Sequence, residues 1–190
     1  MPTPITMLGI SGSLRKQSYN TALMRAAQSL AGSDVLFESA TLHGIPLYDA
    51  DLEQQEGIPP AVSELKARIM ACDGLLLLTP EYNNGIPGVF KNAIDWLSRP
   101  SAEIPQVFSN RPVAVIGASP GGFGTILSQN AWLPVLKTLG VRQWSGGRLL
   151  VSRASKVFDE NGELVDEAIR KQLGDFVAGF ANFVRPARAS

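Results

Sequence analysis

Apolar residues along this chain form short runs, which alternate with segments in which they recur every three or four positions. The short runs predict strands, and the continuous run GLLLLTP is typical of a strand with both faces covered. The predicted strands lie at 5–10, 34–42, 74–80, 112–119 and within 141–151, where a Ser-Gly-Gly sequence interrupts the last run.

The segments with helical spacing predict five helices. They lie at 19–31, from Pro59 and Pro60 through Ile69, and at 87–98, 125–139 and 163–184. Residues 43–59 are rich in proline and polar side chains, which predicts a long loop, and DENG at 159–162 predicts a turn.

This alternation of strand and helix predicts an α/β fold, a parallel sheet with helices on both faces. In such folds ligands bind beyond the carboxyl ends of the strands. The loops that follow the first, third and fourth strands are SGSLRKQSYN, TPEYNNGIPG and ASPGGFGT. All three are rich in glycine, proline, asparagine or hydroxyl residues, so we expect them to meet at one edge and form a site.

The first loop carries groups suited to an anion. A helix N-terminus offers unpaired N–H groups and a partial positive charge, and Arg15 can add two parallel hydrogen bonds to a phosphate. Ser13 and Ser18 supply hydroxyl groups, and Asn20 supplies an amide. The same residues fit an ordinary strand-to-helix turn with Ser18 as helix N-cap, so this loop alone leaves both interpretations open. It lacks the glycine pattern of dinucleotide folds and the Gly-Lys-Ser/Thr of NTPases.

The second and third loops could hold a flat ring. Tyr82 could lie against a planar ligand, and Asn83 could bind the polar edge of its ring. The alternative is a Tyr82 packed under the loop and an Asn83-Asn84 pair that only forms a turn. The glycines around Phe123 would let the third loop approach a ligand closely, or only make it flexible. Together the three loops fit a phosphorylated planar cofactor such as FMN.

Composition narrows the class of protein. A chain of 190 residues suits one domain, which we expect over 1–190. The 17 basic and 17 acidic residues balance, which argues against binding to nucleic acid or an anionic membrane surface. We find no signal-peptide pattern and no apolar stretch of the roughly 20 residues that a membrane span needs. With a single cysteine, Cys72, these features predict a cytoplasmic protein.

No side chain is predicted to act as a nucleophile, a catalytic acid or base, or a metal ligand. His43 and Cys72 are the only histidine and cysteine, and they lie too far apart in sequence for a metal site of ordinary spacing. His43 lies early in the long loop and Cys72 ends a helix, so neither is expected to take part in catalysis.

The three loops extend into longer motifs, GSLRKQSYN, TPEYNNGIPGVFKNAIDWLSR and SPGGFG. These motifs resemble the NAD(P)H-dependent FMN reductases of the flavodoxin-like superfamily, closest to its quinone-, chromate- and azo-dye-reducing flavoproteins. The resemblance covers nearly the whole chain. It implies a flavodoxin-like, doubly wound sheet of five parallel strands in the order 2-1-3-4-5, and an FMN bound without a covalent bond.

The resemblance also implies the cofactor-binding residues. The FMN phosphate would contact Ser13, Arg15, Ser18 and Asn20, with the backbone around Gln17 and Tyr19. The isoalloxazine ring would contact Pro80, Glu81, Tyr82 and Asn83, with Ser119 and Gly122 nearby. A homodimer or homotetramer is implied as well, with FMN at the subunit boundary and the helix that carries Trp96 at the interface.

The implied activity is a ping-pong transfer of electrons from NADPH or NADH, through FMN, to small-molecule acceptors such as quinones, chromate, azo dyes or free flavin. The protein would supply position and electrostatics, with backbone N–H groups stabilising the negative charge of reduced flavin. Two alternatives remain open, a flavodoxin-like electron carrier without substantial NAD(P)H turnover and a regulatory module without flavin. The balanced charge speaks against the carrier, because such carriers are typically strongly acidic.

Overall fold

The computed structural model describes residues 4–188, and it describes side chains through residue 185. At the centre of the fold, six strands pair in parallel. Their order is β2-β1-β3-β4-β5, and β6 also pairs with β4. They are β1 (Ile5–Ser11), β2 (Val35–Ala40), β3 (Gly74–Leu78), β4 (Pro112–Ala118), β5 (Arg142–Gln143) and β6 (Leu150–Val151). The predicted parallel sheet and its strand order are confirmed.

Helices cover both faces of the sheet. They are α1 (Tyr19–Ser29), α2 (Ala50–Glu56), α3 (Pro60–Ala71), α4 (Gly88–Leu97), α5 (Ile104–Val107), α6 (Ile126–Thr138), α7 (Ala154–Val157) and α8 (Glu167–Arg188), with a 3-10 helix at Ser101–Glu103. One core forms where α1 and α8 pack on the sheet, and a second forms beneath α3, α4 and α6. All five predicted helices are present.

The sequence of β3 shows why it is an unbroken apolar run. Leu76 and Leu78 are buried in the core beneath α1 and α8, whereas Leu75 and Leu77 are buried in the other core. Because successive side chains of a strand point to opposite faces, a strand covered on both sides needs an apolar residue at every position. This central strand therefore anchors both cores.

The predicted long loop at 43–59 is wrong in part, because residues 50–56 form α2. This helix has no buried residue, so no apolar periodicity signals it in the sequence. Polar contacts hold it instead. Glu53 accepts hydrogen bonds from Arg99 Nε (2.8 Å) and from the Tyr48 hydroxyl (3.0 Å). The bond from Arg99 lowers the pKa of the Glu53 carboxyl below its usual value.

The predicted fifth strand is two short strands, β5 and β6, which pair with opposite ends of β4. Between β5 and β6 the chain departs from the sheet and passes around the ring of Trp144. This ring packs edge-on against Phe176, with ring centroids 4.7 Å apart. A Cβ at Gly146 would lie 2.5 Å from Trp144 Nε1, and one at Gly147 would lie 2.7 Å from the same ring. The Ser-Gly-Gly sequence therefore makes room for this ring.

The last helix begins at Glu167 rather than near 163, because the residues before it form a bridge. Phe158 pairs with Leu164, and Asp159 Oδ1 accepts hydrogen bonds from the N–H groups of Asn161 (2.9 Å) and Glu163 (2.8 Å). The predicted turn at 159–162 is confirmed. Within residues 4–188, no helix has the length and apolar character needed to cross a membrane.

Cys72 is buried at the end of α3, and burial raises the pKa of its thiol to about 11 in spite of the nearby Arg111. The reactive thiolate is therefore scarce near neutral pH. We expect slow alkylation of the native protein by iodoacetamide and complete alkylation in denaturant, measured by mass spectrometry. Rapid stoichiometric labelling of the folded protein would contradict this assignment.

Candidate functional site

The three predicted loops meet at the carboxyl ends of β1, β3 and β4. An open cleft of about 230 Å³ lies between them. All of the predicted site residues line this cleft except Gln17, Asn83 and Gly122. The lining also includes Ala118 and Pro120, which sequence reasoning missed although both flank the predicted Ser119. The expectation that the loops converge on one edge of the sheet is confirmed.

The first loop ends in a capped helix. Ser18 is the N-cap of α1, and its hydroxyl accepts hydrogen bonds from the N–H groups of Asn20 (3.2 Å) and Thr21 (3.3 Å). Ser13 Oγ likewise accepts from the N–H of Arg15 at 3.3 Å. Each hydroxyl acts as an acceptor in these bonds and keeps its own hydrogen to donate. These bonds therefore leave both Ser13 and Ser18 able to donate a hydrogen bond to an anion.

Arg15 carries the uncommitted charge of the site. Within the described part of the chain its guanidinium takes part in no hydrogen bond or ion pair, and the side chain is exposed. It lies between the cleft and a neighbouring cleft of about 200 Å³, which also includes Gln17 and the turn at 159–162. A free guanidinium beside a helix N-terminus suits an anionic group such as a phosphate.

Asn20 joins the first loop to the sheet. Its side-chain amide donates to the carbonyl of Ala118 at 2.9 Å, and its amide oxygen accepts from the Ala118 N–H at 2.9 Å. Both groups of Asn20 are thus used by the backbone at the end of β4, and the residue is buried. The amide fixes the start of α1 against the strand that carries the third loop.

The second loop is a tight reversal. Tyr82 and Gly85 exchange two backbone hydrogen bonds of 3.2 and 3.0 Å, and the two residues between them are left-handed, with φ of 49° at Asn83 and 63° at Asn84. Asparagine tolerates this conformation better than most residues, which explains the Asn-Asn pair. Tyr82 itself is 52% exposed at the cleft rather than packed under the loop.

Glu81 connects the second loop to α6, a contact that sequence reasoning missed. Its carboxylate accepts hydrogen bonds from the N–H groups of Leu127 (2.8 Å) and Ser128 (3.0 Å) in the first turn of that helix. Thr125, at the N-cap position, makes no side-chain capping bond. The Glu81 carboxylate, which comes from another loop, therefore caps α6 in place of Thr125, and the helix dipole stabilises its negative charge.

The third loop is tied down by hydrogen bonds rather than being flexible. Ser119 Oγ donates to the Gly124 carbonyl at 2.6 Å, and the N–H of Arg153 donates to the Gly121 carbonyl at 2.8 Å. Gly124 has φ of +64°, and a Cβ there would lie 3.0 Å from Leu150, so a side chain would be strained. A Cβ at Gly122, by contrast, would meet nothing within 4 Å.

Several candidate residues lie away from the cleft. Trp96 is fully buried in the core, where its Nε1 donates to the Pro46 carbonyl at 2.9 Å, so this side chain is not itself exposed to a partner subunit. The expectation that its helix lies at an interface stays a prediction. Neither His43 nor Cys72 lines the cleft. Over the residues that the structure describes, no three His, Cys, Asp or Glu side chains are grouped so that they could hold a metal ion.

Comparison with known proteins gives concordant matches. The model of a family described as NADPH-dependent FMN reductase matches residues 5–156. The chain is 41% identical over 188 residues to an NAD(P)H-dependent FMN reductase of Pseudomonas aeruginosa, covering 99% of this chain and 100% of that protein. It is 37% identical over 179 residues to a 2-hydroxy-1,4-benzoquinone reductase of a Burkholderia species, covering 94% and 96% of the two chains.

A solved structure is also similar in both fold and sequence. It is a flavoenzyme NAD(P)H:acceptor oxidoreductase of Paracoccus denitrificans, which superposes with a TM-score of 0.84 at 35% identity. The match covers 96% of this chain and 98% of that one. The resemblance therefore extends over the whole arrangement of strands, helices and loops that forms the cleft.

The junction between Asn20 and Ala118 leads to a stability prediction. Asn20→Ala leaves a buried N–H and a buried carbonyl without a partner, so we expect a loss of about 2–3 kcal/mol in the free energy of unfolding. Urea denaturation measures this. The control is Asn130→Ala, at an exposed position of α6, which should change stability by less than about 0.5 kcal/mol. Equal stability of the two variants would contradict the structural role of Asn20.

Proposed function

The chain belongs to the NADPH-dependent FMN reductase family and is an NAD(P)H-dependent flavoenzyme that uses FMN, and from this premise we propose that it reduces quinones at the three-loop cleft. FMN held in this cleft would supply the redox chemistry, the transfer of electrons from NADPH or NADH to an acceptor. The observation that carries the assignment of the site is the convergence of an uncommitted Arg15 and a half-exposed Tyr82 on one cleft.

One end of the cleft is proposed to hold the FMN phosphate. Arg15 would donate to the phosphate oxygens, and the hydroxyl hydrogens of Ser13 and Ser18 remain available to do the same. The backbone N–H groups around Gln17 and Tyr19 lie at the start of α1, where the helix dipole favours negative charge. Asn20 contributes by holding this helix start against β4.

The other end is proposed to hold the ring. Pro80 and Tyr82 form one wall, and Ser119 lies in the opposite loop. The Glu81 carboxylate accepts hydrogen bonds from the first turn of α6, so the helix dipole offsets part of its negative charge. The same hydrogen bonds fix the loop that would lie beside the ring. Backbone N–H groups of these two loops would stabilise negative charge on the reduced ring. No side chain acts as a nucleophile in this proposal.

The range of acceptors is proposed to be broad. The cleft is open and one of its lining residues is the half-exposed Tyr82, so it imposes little shape on an incoming molecule. Quinones come first, because relatives of the chain are named quinone reductases, and chromate, azo dyes and free flavin are further candidates. A ping-pong order follows if the nicotinamide and the acceptor use the same face of the ring in turn.

We further propose that the protein is a cytoplasmic homodimer or homotetramer. Large apolar side chains are exposed in the second loop (Tyr82), in the third loop (Phe123) and on α6 (Leu127 and Leu133). In this proposal they form part of the association surface, where a second subunit would cover them. Light scattering coupled to size-exclusion chromatography measures the mass, and a monomer at micromolar concentration would contradict this part of the proposal.

The activity is tested by steady-state turnover of the purified protein with a panel of quinones, azo dyes, chromate and free FMN, each with NADPH and with NADH. We expect a yellow protein, turnover with quinones, and parallel double-reciprocal lines. A colourless protein that takes up no FMN would refute the proposal. A flavin-bound protein with negligible NAD(P)H turnover would instead support the electron-carrier alternative.

Arg15 provides a direct test of the phosphate end. Arg15→Ala should weaken FMN binding by about 1.5–3 kcal/mol, because a charge-assisted hydrogen bond to the phosphate is lost. Titration of the apoprotein with FMN, followed by flavin fluorescence, measures the effect. Lys16→Ala is the matched control, since the adjacent exposed cation lines the neighbouring cleft but not this one. If FMN affinity is unchanged in Arg15→Ala, this residue lies outside the phosphate site.

A further inference from the structure

The peptide group between Leu14 and Arg15 is held from both sides. Its carbonyl oxygen lies 3.2 Å from His43 Nε2, and its N–H donates to Ser13 Oγ at 3.3 Å. A peptide group is planar, so fixing its two ends fixes the direction in which the chain enters Arg15. Residues 14–17 are otherwise exposed, and the His43 contact ties them to the segment that follows β2.

His43 is itself held in place by its neighbours. Nδ1 lies 3.1 Å from Thr41 Oγ1, and the next residue, Leu42, is buried in the core beneath α3 and α4. Gly44 then turns the chain in the left-handed region, with φ of +81°. Because a carbonyl oxygen only accepts, Nε2 must carry the hydrogen in the contact with Leu14, and the Thr41 hydroxyl can pair with Nδ1 whether or not that nitrogen carries a hydrogen. The imidazole is thus an oriented donor that points at the first loop.

We propose that His43 is a positioning residue which, through the Leu14 carbonyl, orients Arg15 toward the flavin phosphate and so favours FMN over flavins that lack a phosphate. This inference rests on the proposed function. A long, exposed arginine loses much conformational freedom when it binds a ligand, and a backbone that is already oriented reduces this loss. His43 itself does not touch the cofactor in this scheme, which agrees with its position outside the cleft.

The test compares FMN with riboflavin, which has the same ring and no phosphate. Apoprotein is titrated with each flavin, and binding is followed by flavin fluorescence. In His43→Ala we expect FMN affinity to fall by about threefold to tenfold, the effect of one exposed hydrogen bond, and riboflavin affinity to stay within about twofold. A role in general folding would weaken both flavins alike, and that result would overturn the proposal.

Two further variants sharpen this comparison. His43→Gln keeps a side-chain N–H donor of similar reach and should restore most of the FMN affinity. Ser39→Ala is the matched control, because it removes an exposed hydroxyl of β2 that donates to Gln28 at 3.3 Å, away from the first loop. It should leave both flavin affinities unchanged. Failure of His43→Gln to recover any affinity would count against a donor role for the imidazole.

Coupling to Arg15 is measured with the double variant. If His43 acts through Arg15, the variant Arg15→Ala/His43→Ala should bind FMN as weakly as Arg15→Ala alone. Turnover per bound flavin at saturating FMN should be the same in His43→Ala and the wild type. Additive losses, or an unchanged FMN affinity in His43→Ala, would overturn the positioning role and leave the proposed function intact. Absence of flavin binding by the wild type would overturn the proposed function and this inference with it.

Discussion

The side-chain amide of Asn20 joins the start of α1 to the end of β4, and the shape of the cleft depends on this junction. Buried polar groups must find partners, so a single amide that satisfies both groups of Ala118 holds two loops at one spacing. A second close contact lies beneath it, where a Cβ at Gly117 would be only 2.1 Å from the Thr79 carbonyl. The loops are therefore placed by one buried side-chain amide and by the close approach of two backbone segments.

The polar residues of the three loops divide into two groups with different tasks. Glu81 caps α6, Ser119 bonds to Gly124, and Asn83 with Asn84 forms the tight reversal, so these side chains shape the walls of the cleft. Arg15 and Tyr82, by contrast, are uncommitted within the described part of the chain and remain available to a ligand. Such a division favours binding, because rigid walls leave few groups to be ordered when the cofactor enters.

Sequence reasoning found the strands and helices whose apolar faces lie in the two cores, because burial imposes the periodicity that it used. It missed α2, which buries no residue and is held by Glu53 and Arg99. It also merged β5 and β6, because the glycines that make room for Trp144 resemble a simple interruption. The contact between Glu81 and α6 could not be predicted, since its partners are 46 and 47 residues apart.

By itself the sequence determined the alternation of strands and helices, the two-sided burial of β3 and the three loops at one edge, since these follow from local periodicity and from the rule for parallel sheets. Only the tertiary structure decided which polar side chains form hydrogen bonds within the protein and which remain available to a ligand. That distinction depends on hydrogen bonds between distant segments, such as Asn20 with Ala118 and His43 with Leu14. The spacing of residues along the sequence does not predict such contacts, because they form only when the segments are brought together in the fold.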